Sequence, residues 1–344
     1  MRRKQYSNNA IAFTVVLNLI VLLITQIGGS YGCLQLEREA LLNFKRRLTF
    51  FELPLKAGEN RLLSWEGDGD CCDWEDIACD NVIGHIVMLD LNDLCFLFFK
   101  TDHDYYCFPS VTFTLEDVNP YLSQLQHLIY LDLSGVVFIN RTPTTFLASM
   151  QSLRYLSLQG GVYDDSSSPL VTTIPSSSIG NLTNLRTLYL AGLTLTNTTD
   201  STWLAPLSSL QYLGLGGVDL SLDLFKVLNT LPSLLHLHLP ACGLGQVSSS
   251  LVSDPIFPLT NLTRLQLLNL AWNGLNQDSP VLHAFRNITS IKVLRISGNL
   301  LSFVPPWLAQ LQNLVNLDLS FNNVTVLDPL RNLTSIKDLQ LSHN

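Results

Sequence analysis

Charge is scarce in this 344-residue chain: Asp, Glu, Lys and Arg together make up 14% of it, against 47% hydrophobic residues. The little charge present leans acidic, a formal −8 at pH 7. That argues against nucleic acid as a partner, because such surfaces cluster Lys and Arg against phosphates. Signatures of catalysis are missing as well: there is no H-E-x-x-H, no P-loop and no G-x-G-x-x-G. The one G-x-S-x-G match, Gly28 to Gly32, lies in an N-terminal leader and not in the strand-to-helix turn that a nucleophile elbow needs. Asp102-His103-Asp104 reads as a short solvated loop. No paired C-x-x-C knuckle is present, and His236 and His238, two residues apart, lack a carboxylate in their layer, so no metal and no cofactor are expected. The chain reads as a non-enzyme.

What is abundant is leucine in one phrase. LxxLxL, with Ile tolerated at the first and last positions, begins at Ile86, Leu128, Leu153, Leu185, Leu210, Leu234, Leu265, Ile291, Leu314 and Ile336. Spacings of this kind bracket the period of leucine-rich repeats and exceed it at three insertions. In a strand, successive side chains face opposite ways, so in Leu128 to Leu133 the leucines at 131 and 133 point inward while Tyr130 and Asp132 point outward. A single repeat cannot bury its leucines, but stacked neighbours can, at roughly 1.5–3 kcal/mol per fully buried leucine. The predicted fold is α/β: a right-handed solenoid of about ten leucine-rich repeats, with a curved parallel β-sheet on its concave face and a disulfide-bonded helical cap at its N-terminal end.

The ninth position of such repeats is usually Asn or Cys, whose side chain forms a hydrogen-bonded ladder along the solenoid. Here Cys242, Asn273, Asn299, Asn322 and Asn344 fill it, whereas the five earlier repeats carry Leu94, Val136, Gly161, Leu193 and Val218. The first half is therefore expected to be less regular. The chain stops on a ladder position without a polar cap, and is read as a C-terminally incomplete solenoid.

At the other end, Arg2, Arg3 and Lys4 precede an apolar stretch from Ala10 to Ile24 and then small residues. This is a secretory signal peptide over residues 1–32; a retained membrane anchor is the alternative, but the stretch is short for a span. Removing it takes three positive charges and no negative one, moving the net charge from −8 to −11. Secretion suits the seven N-x-S/T sequons at Asn140, Asn181, Asn197, Asn261, Asn287, Asn323 and Asn332. Four of them (Asn181, Asn261, Asn287 and Asn332) sit four residues before a strand phrase, hence on one side of the solenoid. Either they carry glycans, the reading adopted, or N-L-T simply suits a turn. Of seven cysteines, six cluster near the N-terminus and Cys242 stands alone on the ladder. The pairings expected in an oxidising compartment are Cys72 with Cys79, Cys95 with Cys107, and Cys33 with Cys71.

Residues 33–85 do not follow the repeat and form the cap; residues 86–344 form the solenoid. Leu36, Ala40, Leu41, Phe44 and Leu48 give the apolar face of an amphipathic helix, with Glu37, Arg38, Lys45 and Arg46 expected to turn outward, and Trp74 reads as core. The stretches CLQLEREALLNFKRRL, LLSWEGDGDCCDWEDIACD and GHIVMLDL resemble the N-terminal cap of plant leucine-rich-repeat receptor-like proteins and receptor kinases. The half-repeats from Thr172 to Leu185 and from Ser302 to Leu314 resemble that family's IP element, while Asp76 stands where the family usually has Gly. The resemblance implies a cell-surface ectodomain that binds a peptide or protein ligand, or a coreceptor ectodomain, in defence or developmental signalling, with any membrane association through a C-terminal helix beyond residue 344. The alternative it allows is a secreted inhibitor of a pathogen's wall-degrading enzyme.

On the concave face the third and fifth positions of each phrase look outward. Tyr130, Tyr155, Tyr189, Tyr212, His236 and His238 should then form one aromatic and imidazole patch, either a contact surface or cover for the sheet. The segment from Cys95 to Cys107, rich in Phe and Tyr, reads as a plug over the first coil or a binding finger.

Overall fold

A computed structural model describes residues 32–50, 61–66, 69–92, 95–101, 104–109, 113–115, 119–134, 136–137, 145–159, 173–191, 194–196, 201–218, 220, 223–246 and 259–344. The predicted signal segment up to residue 31, Asn140, Asn197, the Ser-rich insertions near 164–168 and 248–253, and the side chains of Cys95 and Cys107 lie outside the described residues.

Eleven strands form one sheet in strict chain order: β1 (Ile77–Cys79), β2 (Ile86–Asp90), β3 (Tyr130–Asp132), β4 (Tyr155–Ser157), β5 (Thr187–Tyr189), β6 (Tyr212–Gly214), β7 (His236–His238), β8 (Leu267–Asn269), β9 (Val293–Arg295), β10 (Asn316–Asp318) and β11 (Asp338–Gln340). From β2 onward all neighbours are parallel and aligned on the same phrase position, Leu131 opposite Leu156, Leu156 opposite Leu188 and so on to Leu317 opposite Leu339. The phrase leucines point away from the outward rows and bury: Leu128, Leu131 and Leu133 have no accessible surface, and neither do Leu265, Leu268 and Leu270. Turns and short helices such as Ser176–Gly180, Asp223–Leu228 and Pro280–Ala284 return the chain on the convex side. The two IP-like phrases each add a second parallel pairing there, Thr173–Pro175 with Thr194–Thr196 and Phe303 with Val326.

The ladder is continuous through the second half. Asn273 Oδ1 accepts from the backbone of Cys242 at 2.9 Å and Leu244 at 3.3 Å, while its Nδ2 donates to the carbonyls of Leu239, Leu270 and Ala271. Asn299, Asn322 and Asn344 repeat the arrangement, accepting from Asn273, Leu301 and Val324 respectively. Cys242 is a buried thiol whose Sγ contacts the Leu215 carbonyl at 3.1 Å. Reaching this inward residue takes a left-handed residue just before it, adopted by Gly217, Ala241, Trp272, Gly298, Phe321 and His343.

At the N-terminal end, helix α1 (Gln35–Arg47) buries Ala40, Leu41 and Phe44, and β1 pairs antiparallel with β2, covering the sheet edge that would otherwise stay open. Disulfides join Cys33 to Cys71 and Cys72 to Cys79, with Cα separations of 5.3 and 5.4 Å. Trp65 and Trp74 stack with ring centroids 5.8 Å apart, and Trp65 Nε1 donates to the Glu75 carbonyl at 2.8 Å.

Two expectations for the cap helix need correction. Glu37 does not turn outward; it is 3% exposed, whereas Leu36, assigned to the apolar face, is 62% exposed. The reason is the strand start behind the helix, where Glu37 Oε2 accepts the Ile86 N–H at 2.9 Å and Oε1 meets His85 Nδ1 at 2.9 Å. A buried carboxylate is tolerable when bonded in this way. Asp76 has φ of +68°, a conformation that glycine adopts freely and other residues rarely do, so Asp76 stands where a Gly would sit without strain.

The segment from Cys95 to Cys107 belongs to a β-hairpin, Cys95–Thr101 antiparallel to Asp104–Pro109, with Leu97 opposite Cys107. No helix among the described residues is long and apolar enough to cross a membrane.

Candidate binding surface on the concave sheet

Parallel pairing in register places the third-position residues of neighbouring coils side by side, so aromatic residues there must meet. Tyr130 and Tyr155 lie directly opposite one another and stack, with ring centroids 4.1 Å apart and planes 10° from parallel. Beneath them runs a polar network. Tyr155 Oη donates to Asp132 Oδ2 at 3.0 Å, Asp132 Oδ1 accepts the Ser134 N–H at 2.8 Å, and the hydroxyls of Ser134 and Ser157 lie 2.7 Å apart. Burial raises the Asp132 carboxyl above its ordinary value against the lowering effect of its Ser134 bonds. Burial, reinforced by Asp132 and Asp90, pushes the Tyr130 phenol up to about 12, and the Tyr155 phenol rises further still for the same first cause. Both phenols therefore stay protonated and act as hydrogen-bonding groups.

Tyr189 meets Tyr155 edge-on, centroids 6.3 Å apart. Its other neighbour in register is Gly214, where a Cβ would come within 2.5 Å of Tyr189 Cδ1, so the ring occupies the space a side chain would need. On the far side Tyr212 and His236 pair across β6 and β7 with centroids 4.7 Å apart, and His236 lies 6.4 Å from His238. The six residues are thus brought together on one face as two ring groups, Tyr130, Tyr155 and Tyr189 in one, Tyr212, His236 and His238 in the other, meeting where Tyr189 covers Gly214.

Burial lowers the His236 imidazole, and burial followed by the charges of Arg295 and His236 takes His238 down to about 4. At neutral pH the face is consequently uncharged across β3 to β7 apart from the buried Asp132, and presents ring surface with phenol and imidazole hydrogen-bonding tips. That chemistry suits an extended peptide or a protein loop better than a highly charged ligand.

Sequence reasoning placed Asp132, Ser157, Asn269 and Arg295 on the outward fifth row without weighting them, yet Asp132 and Asn269 are almost wholly buried and Arg295 is 7% exposed. They form the floor of the face, paired with one another in register, Asp132 opposite Ser157 and Asn269 opposite Arg295, a burial that strand alternation alone does not signal. Among the described residues, the group of possible metal ligands that lie close together is Cys33, Asp70 and Cys72. Both sulfurs are engaged in disulfides, and Asp70 Oδ1 already accepts from the backbone of Cys33 and Cys72 at 2.7 and 3.0 Å.

A family model described as the leucine rich repeat N-terminal domain matches residues 34–80. Receptor-like protein EIX1 of Solanum lycopersicum is 32% identical over 280 residues, 80% of this chain and 25% of that protein. The chain is a leucine-rich-repeat relative of plant receptor-like proteins. A second tomato protein, receptor-like protein EIX2, is 35% identical over 108 residues, covering 31% of this chain and 9% of its own length. The leucine-rich-repeat fold is shared with the Arabidopsis receptor kinase HAESA, solved with the peptide hormone IDA and the co-receptor SERK1: TM-score 0.63 at 22% identity, over 90% of this chain and 46% of that one. The Arabidopsis receptor kinase GASSHO1/SCHENGEN3 gives a TM-score of 0.52 at 20% identity, over 88% and 35% of the two chains. The chain thus spans about a quarter of the length of receptor-like protein EIX1.

Proposed function

We propose that this leucine-rich-repeat chain is the ligand- or partner-binding part of a non-catalytic cell-surface receptor-like protein, displayed outside the cell in defence or developmental signalling. Its sequon side carries N-glycans and leaves the concave sheet open. The observation that carries the reading is the uncharged Tyr and His face across β3 to β7: its rings sit half-buried on a rigid sheet, with Tyr155 held from below by Asp132. Rigid aromatic groups with polar tips lose little entropy on contact and dominate many interfaces. Kinship with receptor-like proteins, and the peptide hormone named with HAESA, favour a peptide or protein partner, with a co-receptor ectodomain as a second contact.

The test is a binding screen of the secreted chain against synthetic plant peptide hormones and purified receptor-kinase ectodomains, repeated with a Tyr155→Ala, Tyr212→Ala double variant whose folding is verified by circular dichroism. The reading expects a binder whose affinity falls at least tenfold in the variant, corresponding to about 1.4 kcal/mol. A binder unaffected by the double substitution moves the contact off this face. No binder in either set removes the receptor reading.

A further inference from the structure

The second half of the solenoid carries an exposed row of rings that the concave face does not explain. Trp272, Phe321 and His343 occupy the left-handed position before the ladder Asn in their coils, with φ of 59°, 55° and 58°. Large side chains avoid that conformation. Trp272 and Phe321 are nonetheless 52% and 46% exposed. Their rings touch across the intervening coil because that coil has Gly298, where a Cβ would come within 2.3 Å of the Trp272 ring. Trp272 and Phe321 are 5.6 Å apart between centroids, and Phe321 and His343 stack at 4.3 Å.

The residues around Phe321 indicate what covers this row. Phe321-Asn322-Asn323-Val324-Thr325 places a sequon asparagine two residues after the ring. Asn322 turns inward, its Nδ2 donating to the carbonyls of Ile296, Leu319 and Ser320, so Phe321 and Asn323 project outward on either side of it and both are exposed. The stretch after it is fixed: Asn323 N donates to Leu301 O at 2.9 Å and Thr325 N to Ser302 O at 3.1 Å. The equivalent residue one coil back is Leu300, 66% exposed, about 4.8 Å away along the sheet axis. The asparagine therefore emerges between an aromatic row and an exposed leucine, an apolar setting for an attachment point.

Other sequons lack this setting. Asn287 has the same spelling, with Phe285 two residues before it, but Phe285 is fully buried; Ile179 before Asn181 and Leu259 before Asn261 are buried too. Among the described sequons, only Asn323 has an exposed ring at that spacing.

We propose that the first sugars of an N-glycan on Asn323 fold back over the Phe321 row, their C–H groups against the aromatic surface and Leu300, so that the chain's own glycan shields this apolar strip. The inference rests on the glycosylated-ectodomain reading but not on any ligand. A pyranose ring presents a patch of C–H groups, and laying it on the exposed part of the row and on Leu300 removes apolar surface of both from water.

The test uses the secreted chain produced with uniform high-mannose glycans, the occupancy of Asn323 measured by glycopeptide mass mapping, and thermal unfolding of the wild type, Asn323→Gln, Phe321→Ala and the double variant. The expected result is an occupied Asn323 and a Tm loss on removing the glycan that is about 2 °C larger with Phe321 present than without it. Asn287→Gln should cost the same in both backgrounds. A second measurement needs no folded Phe321 variant: after trimming to single sugars, the N-acetyl methyl resonance missing from Asn323→Gln should be shifted away from the other N-acetyl methyls by ring currents. An unoccupied Asn323, strictly additive Tm losses, or an unshifted methyl resonance would each overturn the proposal. The first of these also weakens the glycosylation reading at this site, whereas the other two leave that reading standing.

Discussion

Tyr155 and Asp132, from adjacent coils, are joined by a 3.0 Å hydrogen bond that ties the ring surface of the concave face to its buried floor. Asp132 is 1% exposed, so any acceptor capacity it loses is not replaced by water. Tyr155→Phe keeps the ring and removes only the donor. It should lower stability by about 2 kcal/mol in urea unfolding, while Asp132→Asn in the same background recovers part of the loss. Equal stability of Tyr155→Phe and wild type would mean the bond contributes nothing.

His238 makes the fold sensitive to acid. Its folded-state value lies near 4, below the ordinary 6.5, chiefly through burial and then through Arg295 and His236. A depressed value means the unfolded chain takes up the proton first. The contribution is therefore complete above about 6.5 and is lost progressively as pH falls toward 4. His236 shifts the same way, and Asp132, raised by burial, works in the opposite sense at the lower edge of that window. Tm measured from pH 7.5 to 5 should decline, and His238→Gln should flatten part of the decline. A parallel profile in that variant would place the acid sensitivity elsewhere.

Glu37 links the cap to the first coil, and removing it should uncouple the two. Glu37→Ala leaves the Ile86 N–H without its buried acceptor and His85 without its partner, at a cost of about 2–3 kcal/mol. In a solenoid each coil contacts only its neighbours, so the loss should be local. Hydrogen exchange should accelerate at Ile86 to Leu91 and stay unchanged beyond β6. Uniform acceleration along the chain would show that cap and solenoid unfold as one unit.

Glu37 also marks the limit of what could be read without coordinates. Residues 37, 41, 44 and 48 fall on one stripe of a helix, so phase alone put Glu37 among buried Leu41, Phe44 and Leu48. Residue type pulled the assignment outward, and only the distant Ile86 N–H, 49 residues later in the chain, explains why a carboxylate is wanted there. The leucine phrases were legible because burial with period two is dictated by strand geometry, and the side-by-side Tyr130 and Tyr155 followed from the same register. What did not follow was the division of the patch, since it depends on the Tyr189 ring lying over Gly214. The Trp272, Phe321 and His343 row escaped notice because its residues are neither phrase leucines nor outward strand positions. Its signal was their place immediately before each ladder Asn.

The ladder offers the sharpest contrast between substitutions that differ by a few atoms. Asn273 accepts twice through Oδ1 and donates three times through Nδ2, all within a buried turn. Asn273→Asp keeps the acceptor but replaces the donor with an oxygen facing the carbonyls of Leu239, Leu270 and Ala271, so it must bind a proton or repel them. Asn273→Ala removes both functions: the Cys242 and Leu244 N–H groups and the Leu239 carbonyl lose this partner, while the Ala271 and Leu270 carbonyls keep Ala241 N–H and Asn299 Nδ2, a loss of about 3 kcal/mol or more. Cys242 performs less of this work, its Sγ meeting the carbonyls of Leu215 and Pro240 at 3.1 and 3.4 Å, and Cys242→Ala should cost about 1–2 kcal/mol, mostly lost packing. Urea unfolding should therefore rank Asn273→Ala well above Cys242→Ala. Asn273→Asp should recover as pH falls through the carboxylate range, because protonation restores one donor. An Asn273→Asp variant indifferent to pH would mean that the turn opens to water and that the ladder does not hold the coils together.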